Sequence, residues 1–170
     1  MKRFFDIIIS LIALTIFTPL LFLISIAILV FDGLPIIFVQ PRLGKDKEEF
    51  NIVKFRTMAV GESKSSENDE MRQTLLGKFL RKSSLDELPV LINVLKGEMS
   101  MVGPRPLFDE DTKLFDEKYM RRLNVLPGIT GLLQINDRNA SEFETWYKYD
   151  IEYIENWSLY LDLKIMFKTP

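Results

Sequence analysis

The stretch IIISLIALTIFTPLLFLISIAILVF, residues 7–31, contains no charged side chain and decides how this chain relates to a membrane. It is roughly 25 residues long, or about 37 Å as an α-helix, whereas the hydrocarbon core of a bilayer is ~30 Å thick. A cleaved signal peptide has a shorter apolar region that ends in small residues. Here the run continues into FDGLP (residues 31–35), which does not match such a cleavage site. The pattern therefore predicts a membrane helix that is retained.

Pro19 lies near the middle of this run and leaves two topologies open. Proline removes a backbone donor and clashes with the preceding turn, so it kinks a helix, and Thr15 and Thr18 are placed to satisfy the freed groups. Lys2 and Arg3 favour a cytoplasmic N-terminus. A bent but spanning helix then places residues 32–170 outside the cytoplasm, whereas a re-entrant hairpin returns them to the cytoplasmic face. The residues alone support both topologies about equally.

The composition restricts the chemistry that the remaining residues can perform. The chain has 170 residues, enough for one domain with a sizeable core. It has no cysteine and no histidine. Disulfides and thiolate zinc sites are therefore excluded, and any catalytic group must be a carboxylate, a hydroxyl, a Lys or a Tyr. The net charge of −2 argues against general nucleic-acid binding, which normally shows a basic surface; no nucleic-acid partner is expected.

Local patterns beyond the apolar run predict a β-hairpin and several helices. Strands are predicted at residues 36–40 and 50–55, and a polar loop at residues 61–69. The predicted helices are residues 74–82, 87–95, 109–123, 141–156 and 159–167. Gly97 ends the second of these, and Ser141 with Glu144 forms a capping box at the start of the fourth. The last is apolar and suits either the core or the membrane interface.

The sequence RKSSLDELP, residues 81–89, sets two adjacent carboxylates close to two cations. Helix capping is an ordinary explanation, since Ser84 and Glu87 fit a capping box. Pro89 argues against that register, because it would then occupy a position that needs a backbone donor. With Asp86 as the N-cap, Pro89 falls at the third helical position, where no donor is required. Asp86 would then face a helix N-terminus, which is a natural anion site.

Three further clusters have residues that suit a phosphate-bearing ligand. Lys54 and Arg56 share a face if their segment is extended, although a solvated strand face is the commoner explanation of such a pair. Arg105 stands between two prolines, which suits contact to phosphate oxygens or a rigid connector. The glycines at positions 128 and 131 permit either a close backbone approach or a simple turn. Asn136 and Arg138 follow on a polar segment that is able to contact a nucleotide or a sugar.

Together these segments resemble the bacterial sugar transferases, the small monotopic phosphoglycosyl transferases. The motifs that carry the resemblance are KFRTM (residues 54–58), RKSSLDELPVLINVLKGEMSMVGPRPL (81–107) and LPGITGLLQINDRNA (126–140). KRFFDIIISL (2–11), Thr18-Pro19 and QPRLG (40–44) also fit, so the similarity covers nearly the whole chain. It implies an enzyme that moves a sugar phosphate from a UDP-sugar to undecaprenyl phosphate, with Mg²⁺, and releases UMP. Such a reaction is the first membrane step of glycoconjugate synthesis.

The resemblance also assigns roles to the clusters. Asp86 is expected to be the nucleophile that forms a covalent phosphosugar–aspartyl intermediate, a sound route because it divides one displacement into two. Glu87 is expected to be a metal ligand or acid/base partner, and both carboxylates suit Mg²⁺, a hard cation that prefers oxygen. Cations of the site are expected to stabilise phosphate charge. The expected substrate-binding residues are Lys54, Arg56, Arg81, Arg105, Asn136 and Arg138.

The family's N-terminal helix is re-entrant and broken at Ser-Pro, where this chain has Thr18 and Pro19. We therefore expect an α+β fold with a re-entrant membrane helix-break-helix over residues 1–35. Residues 36–170 are expected to form the catalytic domain, with a small β-hairpin and several helices, some of them interfacial. The expected location is the bacterial inner (cytoplasmic) membrane, at the cytoplasmic face and in contact with phospholipids. The sequence does not distinguish one UDP-sugar, pathway or oligomeric state from another.

Two other functions stay open on the residues alone. One is a membrane-anchored scaffold without activity, which the intact Asp86-Glu87 pair argues against. The other is an anchor for anionic lipids that uses Lys54, Arg81 and Lys82. A scaffold would release no UMP, and a lipid anchor would bind liposomes regardless of UDP-sugars.

Overall fold

The fold combines helices with two small sheets around one long N-terminal helix. The computed structural model describes residues 1–60, 72–112, 117–137, 140 and 142–169. Its α-helices are α1 (Lys2–Phe31), α2 (Leu75–Lys82), α3 (Leu91–Lys96), α4 (Asp109–Thr112), α5 (Leu132–Asn136), α6 (Phe143–Glu155) and α7 (Leu159–Lys168). Its strands are β1 (Ile37–Leu43), β2 (Glu49–Phe55), β3 (Ser100–Val102) and β4 (Gly128–Thr130). Short 3₁₀ helices cover Lys45–Lys47, Leu85–Val90 and Glu117–Asn124. The expectation of a mixed helix and sheet fold is therefore confirmed.

Helix α1 runs without interruption through Pro19. In the described part of the chain it is the helix long and apolar enough to cross a membrane. Thr15 Oγ1 donates to the Leu11 carbonyl at 2.8 Å and Thr18 Oγ1 to the Leu14 carbonyl at 2.6 Å. Neither hydroxyl therefore satisfies the carbonyl of Thr15, which loses its usual donor because residue 19 has no N–H. The predicted compensation by these hydroxyls is wrong, and the predicted helix break is not seen.

The predicted hairpin is confirmed, with strands longer than the sequence pattern suggested. β1 and β2 are antiparallel, and their register runs from Ile37 opposite Phe55 to Leu43 opposite Glu49. The turn includes Asp46 and Lys47, whose φ angles are 55° and 66°. The alternation of buried Phe50 and Ile52 along β2 directs one face of the hairpin towards α3 and β3, where Val94 is fully buried.

The C-terminal half of α1 shares a core with β2 and α2. Ile24 and Ile28 pack with Phe55 and Leu80, and all four side chains are buried. The end of α1 is fixed by polar contacts as well, since Thr74 Oγ1 donates to Asp32 Oδ2 at 2.9 Å. The same Thr74 caps α2 by accepting from the Gly77 N–H at 2.9 Å, as the predicted start of this helix requires.

The N-terminal end of α1 contacts the same body of the molecule. Lys2 Nζ lies 2.7 Å from Asp162 Oδ2 on α7. Arg3 donates to the carbonyls of residues 94 and 95, at the end of α3. Asp6 is buried and accepts from the Ser100 hydroxyl at 2.9 Å and from the Met101 N–H at 3.0 Å. Both ends of α1 are thus held by residues 36–170.

Several predicted helices differ from the structure. The predicted helix at 109–123 consists of α4 and the 3₁₀ helix Glu117–Asn124, and residues 113–116 lie outside the described part. The predicted helix at 87–95 begins as the 3₁₀ helix Leu85–Val90 and becomes α3, which ends at Gly97 with φ 91° as expected. Ser141 of the predicted capping box lies outside the described residues, as does the predicted loop at 61–69. Glu144 accepts from Lys118 at 3.2 Å and from Tyr119.

A parallel pairing of β3 with β4 was not foreseen, because each strand has only three residues. Ser100 pairs with Gly128 and Val102 with Thr130. A Cβ on Gly128 would lie 2.1 Å from the backbone nitrogen of Gly103, so only glycine permits this approach. The glycine at position 128 therefore serves strand packing.

Candidate active site

Glu87 and Lys54 meet at the junction between β2 and the 3₁₀ helix Leu85–Val90. Lys54 Nζ lies 2.6 Å from Glu87 Oε1, and both side chains are partly exposed. The neighbouring residues fix this junction, since Phe55 and Val90 are buried on either side of it. A charged pair is thereby placed on a rigid support at the protein surface.

Asp86 lies inside the 3₁₀ helix rather than at its start. The residue before the helix is Ser84, with the left-handed φ of 56°, and Pro89 is within the helix. The predicted register, with Asp86 as the N-cap of an α-helix, is therefore wrong. The 3₁₀ geometry accounts for the difference, because the α-helix proper begins only at Leu91, after Pro89.

Burial and a neighbouring carboxylate perturb Asp86. Its side chain is 8% exposed. Desolvation is the largest effect and raises the pKa of the Asp86 carboxyl, and the negative charge of Glu87 raises it further. The positive charges of Lys54 and Arg81 oppose this shift and lower the pKa. The structure thus brings together four of the residues that the sequence singled out.

Arg81 is oriented by the segment that follows β2. Its Nε donates to Thr57 Oγ1 at 2.9 Å. Helix α2, which carries Arg81, packs so closely on this segment that a Cβ on Gly77 would lie 2.0 Å from the Thr57 carbonyl oxygen. Thr57 therefore fixes both the helix and its arginine.

A cavity of about 290 Å³ opens beside Glu87 and has walls of contrasting polarity. Its charged side chains are those of Arg42, Lys54, Glu87 and Arg105. Its apolar lining includes Ile52, Leu88, Leu91, Met99, Met101 and Ile129, and α1 contributes Ala13 and Phe17. Charged groups and the apolar membrane helix therefore border one space.

Arg42 is a residue of this cavity that the site prediction omitted. Its guanidinium carbon lies 3.3 Å from the centroid of the Phe108 ring, and its Nη2 donates to Gln40 at 3.2 Å. Burial, followed by the repulsion of Arg105, lowers the pKa of Arg42 to about 10. Its buried Nε has no hydrogen-bond partner among the described residues. The QPRLG motif could have pointed to Arg42, because it places this arginine on β1, two residues after Gln40.

The segment that carries Arg105 is held by a buried ion pair. Arg122 Nη2 donates to the Arg105 carbonyl at 3.1 Å, and Arg122 Nη2 lies 2.8 Å from Asp150 Oδ2 on α6. Desolvation raises the pKa of Asp150 to about 6, while the charge of Arg122 acts in the opposite direction. Sequence reasoning missed both residues, because a buried pair formed 28 positions apart leaves no local pattern.

The other predicted site residues lie elsewhere or outside the described part. Arg56 is buried, and its Nη2 donates to the carbonyls of Asp32 and Gly33, so it holds the end of α1. Asn136 is exposed, and its Nδ2 donates to the Leu132 carbonyl of its own helix at 2.9 Å. Neither side chain lines the cavity. Arg138 lies outside the described residues.

The donor groups at Asp86 and Glu87 are compatible with a hard cation. Within the described ranges, no three side chains of the types His, Cys, Asp and Glu gather at one point. Mg²⁺ commonly binds through one or two carboxylates together with substrate phosphates. The mutual repulsion that raises the pKa of Asp86 is also of the kind that a cation relieves. The pair therefore fits a metal that shares its coordination sphere with a substrate.

The sequence also matches a known protein family. The family described as bacterial sugar transferase matches residues 1–170. This chain belongs to the bacterial sugar transferase family. The resemblance noted from the motifs is thereby confirmed.

Curated relatives in the bacterial sugar transferase family include proteins of two lengths. The chain is 45% identical to "Uncharacterized sugar transferase EpsL" of Bacillus subtilis, covering 99% of this chain and 85% of the relative. It is 38% identical to "Exopolysaccharide production protein ExoY" of Rhizobium meliloti, covering 99% and 83%. It is also 43% identical to "UDP-glucose:undecaprenyl-phosphate glucose-1-phosphate transferase" of Klebsiella pneumoniae, covering 99% of this chain but 39% of the relative. This chain therefore corresponds to less than half of that longer transferase.

Proposed function

We propose that this protein transfers a sugar phosphate from a UDP-sugar to undecaprenyl phosphate and releases UMP. The observation that carries the proposal is the carboxylate pair Asp86-Glu87, set among cations at a cavity that Glu87 and the apolar helix α1 line. Relatives from Klebsiella pneumoniae and Escherichia coli are named for the transfer of glucose 1-phosphate to the same lipid. The proposed role is the first membrane step in the synthesis of a bacterial glycoconjugate.

In the proposed mechanism, Asp86 first forms a bond to one phosphorus atom and is then displaced from it. An Asp86 oxygen attacks the phosphorus that bears the sugar, the bond from that phosphorus to the bridging oxygen breaks, and UMP leaves with that oxygen. A phosphate oxygen of undecaprenyl phosphate then attacks the same phosphorus. The bond to Asp86 breaks, so that the carboxylate is restored and the lipid diphosphate sugar forms. Such covalent catalysis replaces one difficult displacement by two easier ones.

The surrounding cations suit both the nucleophile and the charge that it must approach. A carboxylate attacks only when ionised, and Lys54 and Arg81 lower the pKa of Asp86 against the effect of burial. Arg42 and Arg105 line the same cavity and are available to phosphate oxygens. Fixed positive charges in a partly buried site stabilise phosphate more strongly than charges in water. Lys54 therefore has two proposed functions, one on Asp86 and one on substrate.

We propose Mg²⁺ as the cofactor, held by Asp86 and Glu87 together with phosphate oxygens of the substrate. When bound, it would neutralise diphosphate charge and favour the departure of UMP. Without the cation, Lys54 remains the partner of Glu87 at 2.6 Å. Titration of binding with MgCl₂ and with CaCl₂ would show whether the smaller cation is preferred.

We also propose that the N-terminus and the catalytic residues lie at the cytoplasmic face of the inner membrane. The support is that both ends of α1 contact one body: Lys2 pairs with Asp162, and Asp32 accepts from Thr74. A helix that crossed the bilayer would carry its two ends to opposite faces. Exposed Tyr160 and Phe167 on α7 suit contact with phospholipids at the same face.

The topology is tested by single cysteines, which this cysteine-free chain makes simple. Cysteines at Met1 and at exposed Asp46 are expected to react with an impermeant maleimide only after the cells are opened. Labelling of the residue 46 site from outside intact cells would contradict the proposed topology.

The reaction is tested by UMP release with a panel of UDP-sugars, undecaprenyl phosphate and MgCl₂. The unmutated protein is expected to release UMP with at least one donor, and Asp86→Asn to lose nearly all turnover. Asp46→Asn is the matched control, because Asp46 is exposed in the hairpin turn and Asn tolerates its φ of 55°. Near-normal turnover by Asp86→Asn would exclude Asp86 as the nucleophile. No UMP from any donor would favour the scaffold instead.

A further inference from the structure

The cavity has a second polar end that the proposed chemistry does not use. Its members are uncharged: Thr130, Gln134 and Thr169 line the cavity together. Thr130 Oγ1 and Thr169 Oγ1 lie 2.7 Å apart, and Thr169 Oγ1 also lies 2.9 Å from the Ile165 carbonyl, to which it donates. Either hydroxyl can be the donor in the Thr130–Thr169 contact. Whichever donates, each hydroxyl oxygen has two lone pairs, so the pair retains the capacity to accept a hydrogen bond.

Gln134 provides the second acceptor of this uncharged end. Its Oε1 is buried and has no hydrogen-bond partner among the described residues. Buried polar atoms almost always have a partner, and an orphan commonly marks a place where a ligand or an ordered water binds. A ligand group that binds to these two acceptors must therefore have an O–H or an N–H to donate.

The position of Gln134 is fixed by its surroundings. Leu132 and Leu133, on the same short helix α5, are both buried. A Cβ on Gly131 would lie 3.0 Å from Gln134 Oε1 and 2.4 Å from the Gly103 carbonyl oxygen, so the amide packs directly on backbone. An acceptor held this firmly loses little conformational entropy when a ligand binds.

We propose that Gln134 Oε1 accepts a hydrogen bond from an uncharged donor group of the nucleotide sugar, making Gln134 a substrate-binding residue. This inference rests on the proposed function. The donor group is either an O–H or N–H of the sugar or the N–H of the uracil ring. Both present the same chemistry to the amide oxygen, and the charged end with Arg42, Lys54 and Arg105 is left to the diphosphate that joins them.

The test uses Gln134→Met, which keeps the unbranched shape and removes the acceptor. Binding is measured by calorimetry on purified full-length protein with native Asp86, and undecaprenyl phosphate is left out so that no lipid product forms. The probes are UDP-glucose, UDP-galactose, UDP-N-acetylglucosamine and UMP, each with MgCl₂. For the donor that binds, Gln134→Met is expected to weaken affinity about fivefold to tenfold, the effect of one hydrogen bond.

Thermal unfolding separates a ligand contact from a structural role. Removal of a buried acceptor that lacks a partner is neutral or stabilising, so the Tm of Gln134→Met should be unchanged or higher while affinity falls. Asn156→Ala is the control, because Asn156 is exposed and its side chain donates to the Glu152 carbonyl of its own helix at 2.9 Å. That control should change neither quantity.

The four probes identify the group that Gln134 contacts. Loss of affinity for UDP-sugar alone, with UMP binding unchanged, assigns the contact to the sugar. An equal loss of affinity for UDP-sugar and for UMP, at an unchanged Tm, assigns the contact to uracil. Unchanged affinity for every probe overturns the inference and leaves the proposed function intact, and so does a lowered Tm with uniform losses. Failure of every probe to bind the protein with native Asp86 and Gln134 overturns both proposals.

Discussion

Lys54 Nζ and Glu87 Oε1 lie 2.6 Å apart, although 33 residues separate them in the chain. This contact joins the end of β2 to the 3₁₀ helix that holds Asp86. It places one positive charge where it acts on both carboxylates, because Lys54 also lowers the pKa of Asp86. The ionisation of the proposed nucleophile is therefore linked to the hairpin.

Replacing Lys54 by Met should shift the acidic limb of the pH–rate profile to higher pH. Lys54 lowers the pKa of Asp86, so its loss lets burial and Glu87 raise that pKa further. A larger fraction of Asp86 is then protonated at a given acidic pH, and kcat/KM falls earlier as pH decreases. The measurement is kcat/KM for UMP release between about pH 5 and pH 9. Lys78→Met is the control, since Lys78 is exposed on α2; an acidic limb at the same pH in both variants would refute the link.

Replacing Arg42 by Lys should reduce kcat/KM about tenfold even though the charge is kept. The guanidinium lies 3.3 Å from the centroid of the Phe108 ring, a planar contact that an ammonium group does not reproduce. Phe108→Leu removes the same contact from the other side. If the contact is responsible, the double variant loses little more than either single variant, whereas fully additive losses would show that Arg42 acts without the ring.

Replacing Arg122 by Met should lower the free energy of unfolding by about 3–5 kcal/mol at a pH above the pKa of Asp150, because it leaves the buried Asp150 charge without its partner. Arg122→Met combined with Asp150→Leu should recover much of this loss. The measurement is urea unfolding in detergent, followed by tryptophan fluorescence. Equal stability of Arg122→Met and the unmutated protein would show that the pair is solvated.

The same carboxyl should make stability depend on pH. Burial raises the pKa of Asp150 in the folded protein from its ordinary value to about 6. The folded state therefore holds this proton more tightly than the unfolded state, and the Asp150 contribution to stability is lost as pH rises from about 4 to about 6. Asp150→Asn should abolish this component of the pH dependence, and a variant that retains the full slope would assign it to another group.

Replacing Gly77 by Ala should destabilise the protein by about 1–3 kcal/mol or more, since the new Cβ would lie 2.0 Å from the Thr57 carbonyl oxygen. Backbone must move to relieve this overlap, and Arg81 would lose its contact with Thr57. We therefore expect a lower Tm and, in the fraction that remains folded, slower UMP release. Lys78→Ala, one position along the same helix, should leave both unchanged; a normal Tm for Gly77→Ala would show that α2 moves freely.

The sequence was most informative where local chemistry determines structure. Three features were predictable in this way: the apolar run, the hairpin and the end of α3 at Gly97. They follow from the spacing of apolar residues, from turn residues and from the ability of glycine to adopt a positive φ. Each of these depends on adjacent residues. Asp86, Glu87, Lys54 and Arg81 lie close to one another because the two short motifs that contain them pack together.

Contacts between distant segments were not predictable in the same way. Arg56 has the positive charge expected of a residue that binds phosphate, but it donates to the carbonyls of Asp32 and Gly33 at the end of α1. Gln134 attracted no attention in the sequence, since a lone glutamine is unremarkable until its Oε1 is buried without a partner among the described residues. In both cases the tertiary surroundings, and not the residue type, determine the role.

The ion pair between Lys2 and Asp162 also constrains how the protein is made, because its two residues are 160 positions apart. At a synthesis rate of about 5–20 residues per second, Asp162 emerges roughly 8–32 seconds after Lys2. The other partners of its first turns, residues 94–101, are made earlier in that interval. Until they emerge, those turns have no protein partner, and the lipid bilayer is the apolar environment open to them. Entry into the bilayer should therefore precede folding of the catalytic residues, and the bilayer should keep the apolar helix out of water until its protein partners are made.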